Sequence, residues 1–162
     1  MRTSLRLIGI LVLLVITIAA AEAMIATLKL PDLVRKADII ALVTVVSTSE
    51  TATDKDQITT CRNELKLDKL IKGIWKPTEP MVVETRQSGQ PGQIGWIEDQ
   101  PQFPAKGQQC LVFLARSQND VDRLEIVNLV QGIWPIIEGQ PAGMGLGTKV
   151  SQIEEIVKQQ RN

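Results

Sequence analysis

The stretch "TTCRNELKLDKLIKGIWKP", residues 59–77, decides the fold because it fits two different periods. Four apolar side chains in its second half recur at helical spacing, but this match is short and runs into Gly73. From Cys61 to Asp68, uncharged residues alternate with charged ones, which is the two-residue period of a strand. The alternating match is longer and follows a polar loop, so the pattern predicts a strand over residues 57–70 that forms a hairpin with the strand before it.

The segments around this hairpin favour short strands. Residues 39–48, "IIALVTVVST", are rich in β-branched side chains and apolar on both faces, which predicts a central buried strand. Further strands are predicted at 79–87, 108–117, 123–130 and 132–137, the last at a sheet edge because it contains Pro135. The Gly- and Pro-rich residues 88–107 are predicted to form one long loop.

A helix is predicted near each end of the folded part. In "LPDLVRKAD", residues 30–38, Pro31 and Asp32 suit the start of a helix and the following basic residues suit its end. "TKVSQIEEIVKQQ", residues 148–160, carries one apolar stripe at helical spacing. Ser151 with Glu154 has capping-box spacing, and Thr148 is an alternative N-cap.

The N-terminal residues have the pattern of a secretory signal peptide. Arg2 and Arg6 precede an uncharged run from Leu7 to Ala21, which is shorter than the roughly 20 residues of a spanning helix. Ala21-Glu22-Ala23 predicts cleavage before Met24, with cleavage after Ala21 as a second possibility and an uncleaved membrane anchor as the alternative. The expected location is extracytoplasmic: the periplasm, the cell surface or the medium.

Removal of residues 1–23 would leave one domain, residues 24–162, with a net charge of −1. A chain of this length forms one core but not two. Its near-neutral charge gives no general attraction for DNA, RNA or anionic lipid, and we expect membrane association only if the N-terminal segment is uncleaved.

The chain contains two cysteines, Cys61 and Cys110, both in the predicted mature part. Exported proteins meet oxidising conditions, so a Cys61–Cys110 disulfide is predicted, with two free buried thiols as the alternative. Neither cysteine lies in a C-x-x-C motif, which disfavours redox catalysis.

Three pieces of the sequence resemble small exported proteins with an OB-like or netrin-like barrel. They are "LVRKADIIALVTVVS", "LDKLIKG" and "PQFPAKGQQCLVFL". The resemblance spans residues 33–137, with Val43 or Thr44 in place of the usual first-strand glycine and Cys110 near the usual tyrosine. The pattern of five or six short strands, with a short N-terminal helix and a C-terminal helix, predicts a mainly β fold, either a small barrel or a sandwich. The resemblance implies the barrel. Tissue inhibitors of metalloproteinases share such a barrel and chelate zinc through an N-terminal cysteine, which this mature start lacks, so that function does not carry over.

The composition excludes several kinds of chemistry. The chain has no histidine and no tyrosine, which removes Ser-His-Asp and Cys-His catalysis and most zinc sites. The sequence predicts neither a metal site nor a cofactor. Five Trp or Phe residues in total are few for the stacking platform of a nucleic-acid binder, so no nucleic-acid partner is expected.

Trp96 is the candidate contact residue, because it lies in the middle of the long loop between Gly and Ile rather than in a strand pattern. It could bind a protein or carbohydrate partner, together with Phe103, or it could plug one end of the barrel.

Three functions are compatible with the sequence. The first is an exported, non-enzymatic binding module whose protein or carbohydrate partner is unknown. The second is an extracytoplasmic hydrolase that uses two facing carboxylates. The third is a structural envelope protein held by an uncleaved N-terminal anchor.

Overall fold

The computed structural model describes residues 26–55, 58–76, 78–88, 100–120 and 122–161. Within it, the deciding stretch is a strand: β2 (Ile58–Lys72) includes every residue from Cys61 to Asp68. The two-residue period therefore prevails over the short helical match, as the sequence predicted.

The structure is mainly β, with one α-helix before the first strand and one after the last. The elements are α1 (Leu30–Lys36), β1 (Ile39–Thr53), β2, β3 (Met81–Ser88), β4 (Gln109–Arg116), β5 (Leu124–Ile126), β6 (Ile133–Ile137), β7 (Gln140–Pro141) and α2 (Val150–Gln159). Two 3₁₀ turns, Leu129–Gly132 and Gly143–Gly145, flank β6 and β7.

The first five strands close into a barrel. The order around it is β1-β2-β3-β5-β4, and β4 pairs back onto β1 from Ile39–Leu114 to Thr44–Gln109. All pairings are antiparallel except that of β3 with β5. The predicted fold class, a small mainly β barrel with two short helices, is confirmed.

β1 and β4 are buried on both faces because two cores meet across them. Their inward side chains fill the barrel with those of β2 and β3, among them Val43, Leu65, Val83 and Val112. Their outward side chains, such as Phe113, pack against both helices. This arrangement explains why "IIALVTVV" has no polar face.

The helices are attached to the barrel wall by polar contacts as well as by the outer core. The Lys72 ammonium donates to the last carbonyls of α1, at 2.7 Å from Val34 O and 3.3 Å from Arg35 O, and burial lowers the pKa of this ammonium. Lys69 forms an ion pair with Glu154 of α2 at 2.6 Å. Both described helices are far shorter than a bilayer-spanning segment, and none in this part of the chain could cross a membrane.

The predicted caps of α2 were wrong by one or two positions. The helix begins after Lys149, whose N–H donates to the Gln152 side chain at 2.7 Å. Gln152 therefore fills the role that the sequence assigned to Glu154, because the helix starts before Ser151.

The predicted strand over residues 123–130 is also shorter than expected. It ends at Ile126, and the chain then turns through Asn128 and Leu129, which have φ values of 54° and 52°. Two successive left-handed residues cannot continue a strand.

The tripeptide Gly-Ile-Trp occurs twice, at residues 73–75 and 132–134. In both places the glycine passes close to another segment of backbone. A Cβ on Gly73 would lie 2.3 Å from Asp38 O, and one on Gly132 would lie 2.4 Å from Val127 O. Only Gly73 has a positive φ. Trp75 packs against the inner core, whereas Trp134 is buried in the outer core.

The predicted Cys61–Cys110 disulfide is wrong, because both thiols are free and buried. Cys61 pairs with Glu50 of β1, whereas Cys110 pairs with Val43 of the same strand. Seven residues of strand separate these two partners, a distance of about 20 Å, while a disulfide needs Cα atoms within about 7 Å.

We expect both thiols to be unreactive in the folded protein. Burial raises the pKa of both thiols, that of Cys110 to about 12, so the reactive thiolate form is scarce near neutral pH. The intact mass should be the same with and without reductant, and an aromatic disulfide reagent should titrate two thiols only after unfolding. A non-reduced mass lighter by two hydrogens would contradict the register.

Gly73→Ala should destabilise the barrel, because the new Cβ meets the Asp38 carbonyl and the residue has a φ of 92°. We expect the free energy of unfolding in urea to fall by at least about 2 kcal/mol. Gly107→Ala is the matched control: its φ is 84°, but nothing lies within 4 Å of its Cβ position. The control should cost about 1 kcal/mol. Equal losses for the two variants would show that the Gly73–Asp38 approach is unimportant.

Candidate functional site

In the part of the chain that the structure describes, a cleft lies at the end of the barrel where β1 begins. Its walls are the β2–β3 connection and the β4–β5 connection, and its volume is about 530 Å³. We call it the end cleft; its lining residues are Ile74, Trp75, Lys76, Glu79, Pro80, Arg116 and Asp122.

The position of Gly73 shapes this cleft. β2 ends at Lys72, and Gly73 passes against Asp38 just before β1. The next two side chains then take different environments: Ile74 is 83% exposed, whereas Trp75 is half-buried and packs against the inner core. An exposed aliphatic side chain thus lies beside a rigidly held aromatic one.

Trp75 is fixed by a hydrogen bond as well as by packing. Its Nε1 donates to Glu79 O at 3.1 Å, which closes the β2–β3 connection over the barrel end. Lys76 and Glu79 form an ion pair at 3.1 Å on the same connection. The hydrogen bond and the packing against the inner core favour one orientation of the indole in the free protein.

The opposite wall carries charges of both signs. The Arg116 backbone N–H donates to the Asp38 carboxylate at 2.7 Å, which ties the end of β4 to the start of β1. Asp122 lies on the β4–β5 connection, where its N–H donates to the Asp120 carboxylate at 3.1 Å. The lining of the end cleft therefore combines apolar side chains with charged side chains of both signs.

Two carboxylates of the described residues, those of Glu79 and Asp122, line the end cleft. Three others are in ion pairs on the strands and on α2: Asp54 with Arg86 at 3.1 Å, Glu84 with Arg123 at 3.3 Å and Glu154 with Lys69 at 2.6 Å. No three His, Cys, Asp or Glu side chains in the described ranges lie close enough to hold a metal ion. Glu98 and Asp99 lie outside the described residues.

The two residues predicted as contacts have different outcomes. Trp96 lies outside the described residues, so its role stays a prediction. Phe103 is half-buried and packs against the inner core, in the segment that leads to the bond from Gly107 N–H to Val45 O at 2.8 Å. It covers the barrel near the end opposite to Trp75.

The sequence reasoning missed Ile74 and Arg116 as surface residues. Ile74 was counted only as part of an apolar stripe, because its exposure depends on the close approach of Gly73 to Asp38. A usable signal was the Gly-Ile-Trp order directly after a predicted strand, where two adjacent large apolar residues cannot both face the core.

Comparison with known proteins adds no further assignment: no family model matches this chain, and no curated protein matches it.

The hydrogen bond of Trp75 can be tested separately from its packing. Trp75→Phe keeps an aromatic ring but removes the Nε1 donor, and we expect a loss of about 1 kcal/mol in the free energy of unfolding. Trp75→Ala removes the ring as well and should cost about 3–5 kcal/mol, reduced in proportion to the exposed part of the ring. Denaturant unfolding measures both values, and an unchanged stability for Trp75→Ala would mean that the indole does not cover the core.

Proposed function

We propose that this protein is an exported, non-enzymatic binding module that recognises another protein through the end cleft. The observation that carries the proposal is the pair formed by Ile74 and Trp75. The exposed aliphatic side chain of Ile74 lies beside an indole that is half-buried and hydrogen-bonded. The predicted export signal and the resemblance to small exported barrels support the extracytoplasmic location.

The anatomy of the end cleft favours a protein partner over a carbohydrate. Binding hot spots in protein interfaces combine a buried aromatic or aliphatic anchor with a surrounding polar rim. Ile74 offers an exposed apolar anchor that a partner would bury, and Lys76, Glu79, Arg116 and Asp122 supply charges of both signs around it. A sugar site would use the face of the indole with amide or carboxylate partners, and an isolated exposed isoleucine has no role in it.

Pre-organisation supports the same reading. In the free protein the Trp75 indole is already hydrogen-bonded to Glu79 O and packed against the inner core. A side chain that is already held loses less conformational freedom on binding than a mobile one, so more of the contact energy is available for affinity.

The decisive experiment compares two equally exposed apolar residues. Ile74 is 83% exposed at the end cleft, and Leu146 is 82% exposed elsewhere on the protein. A photo-crosslinking amino acid at each position, in turn, should give a discrete adduct with an extracytoplasmic protein only at position 74. Adducts at position 146 alone, or none at position 74, would refute the end cleft as the binding surface.

Affinity for the captured partner gives a quantitative check. Ile74→Asp should weaken binding at least about tenfold, because it places an uncompensated charge in the anchor position. Leu146→Asp is the control, and it should leave the dissociation constant unchanged. Both substitutions are on the surface, so thermal unfolding should stay within a few degrees of the unsubstituted protein.

A further inference from the structure

β1 extends well beyond its pairing with β4. One edge of β1 pairs with β2 over nearly its whole length, whereas the other edge pairs with β4 only up to Thr44. The next residue, Val45, bonds to the segment before β4: its N–H donates to Gln108 O at 3.0 Å, and its C=O accepts from Gly107 N–H at 2.8 Å. No strand of the described chain pairs with this second edge over residues 46–53, which we call the free edge.

The free edge is open to solvent. Every residue from Thr48 to Thr53 is exposed, and Val46 is 43% exposed. An edge strand presents a row of alternating backbone N–H and C=O groups, and the protein partner that matches such a row is another extended chain. The backbone itself therefore specifies a β-strand as the occupant of this edge.

The free edge lacks the residues that usually prevent strands from pairing. Its sequence, "VSTSETAT", contains no Lys, Arg or Pro, and its only charge is Glu50. Other edges in the described chain are protected: β7 has two residues and includes Pro141, and β3 carries Glu84 and Arg86 beyond its single bridge to β5. The composition of the free edge therefore permits pairing where that of the other edges opposes it.

The middle of the free edge is regular. The pairing of β1 with β2 shifts register once before Ser47 and once after Glu50. Bulges of this kind bend a strand and make its edge less available. Between the two shifts, residues 47–50 pair one-to-one with residues 61–64, so this segment is where a second strand can begin to pair.

A second copy of this chain fits the free edge without placing like charges opposite each other. In a regular antiparallel pair, residues that face each other direct their backbone groups to the shared edge, so across a two-fold axis one residue faces its own counterpart. A centre at Glu50 would oppose two carboxylates, which destabilises a strand pair. A centre at Ser49 instead places each Glu50 opposite Thr48 of the other copy.

Sterics exclude centres nearer to the start of β1. The bonds of Val45 to residues 107–108 occupy the edge there, so a second strand can pair only from position 46 onward. A centre at Ser49 leaves an overlap of residues 46–52 in each copy, and each step of the centre towards Val45 shortens the overlap at both ends. Ser49 therefore gives the longest overlap that keeps the two Glu50 carboxylates apart.

We propose that two copies of this protein pair through the free edge as an antiparallel two-fold dimer, with Ser49 at the axis. Each copy supplies the backbone donors and acceptors that the edge of the other copy lacks. The free edge is at the far end of β1 from the end cleft, which lies where β1 begins. The dimer therefore leaves both end clefts open, and the proposal does not rest on the function of that cleft.

Disulfide trapping tests the register. In the proposed dimer of Ser49→Cys, the two new thiols face each other with Cα atoms about 4.5–5.5 Å apart, within reach of a disulfide. Ala52→Cys is the matched control: it is exposed on the same strand, but it would lie about 20 Å from its counterpart. Under mild oxidation, non-reducing electrophoresis should show a covalent dimer for Ser49→Cys only, and none for the unsubstituted protein. Equal crosslinking of the two variants, or none for Ser49→Cys, would overturn the proposal.

Sedimentation equilibrium tests the dimer without an added thiol. Because the strand overlap is short, the interface is smaller than the standard size, and we expect a dissociation constant of about 10–100 µM. Ser49→Lys places two ammonium groups face to face and should raise this constant at least about tenfold. Leu146→Lys changes an exposed residue elsewhere and should leave the constant unchanged.

Two results of this measurement would refute the free edge as an interface. One is an unsubstituted protein that stays monomeric up to about 1 mM. The other is a dimer that is weakened by Leu146→Lys but not by Ser49→Lys. The end cleft can fail its own crosslinking test without affecting either result.

Discussion

The closure of the barrel depends on a seam formed by one very short strand. β5 has three residues, and its parallel pairing with β3 is made at Val83 and Leu124. The Arg123–Glu84 ion pair at 3.3 Å spans the same seam from the strand ends. Without this seam, β1 to β4 would form an open sheet whose inner apolar face is exposed to water, and a closed barrel is the arrangement that buries it. The close approach of Gly132 to Val127 O turns the chain just after β5, so the same short segment also begins the path to β6.

Closure in turn determines where function can reside. Inward side chains of β1, β2, β3 and β4 fill the lumen, and the helices cover the outer face of β1 and β4. Recognition is then left to the connections between strands, as is usual for a rigid scaffold. Two such places carry exposed apolar side chains here: the β2–β3 connection with Ile74, and the paired turns with Leu129 and Leu146.

Local periodicity was sufficient to predict most of the fold. The alternation through Cys61–Asp68 and the two-sided apolar run of residues 39–48 are consequences of which face is buried, and burial leaves a direct trace in the sequence. Non-local register leaves no such trace. The disulfide was predicted from compartment and cysteine number, whereas the distance between Cys61 of β2 and Cys110 of β4 depends on how both strands pair with β1. The end of β5 at Ile126 was missed for a related reason. The left-handed turn at Asn128 and Leu129 brings the side chains of Asn128 and Gln131 to hydrogen bonds with the backbone of Ala26 and Leu28, about 100 positions away. The end cleft shows the same limit, because the exposure of Ile74 follows from the close approach of Gly73 to Asp38, which is not local in the sequence.

The pairing of β3 with β5 closes the barrel, and NMR can detect this pairing directly. In a closed barrel, backbone protons of Val83 and Leu124 lie within a few ångströms of each other, and the amides of the seam exchange slowly with solvent. We predict a long-range nuclear Overhauser effect between backbone protons of these two residues, together with the pattern typical of a strand from Cys61 to Asp68. Absence of the Val83–Leu124 contact in a folded sample, or helical contacts within 61–68, would contradict the closed barrel.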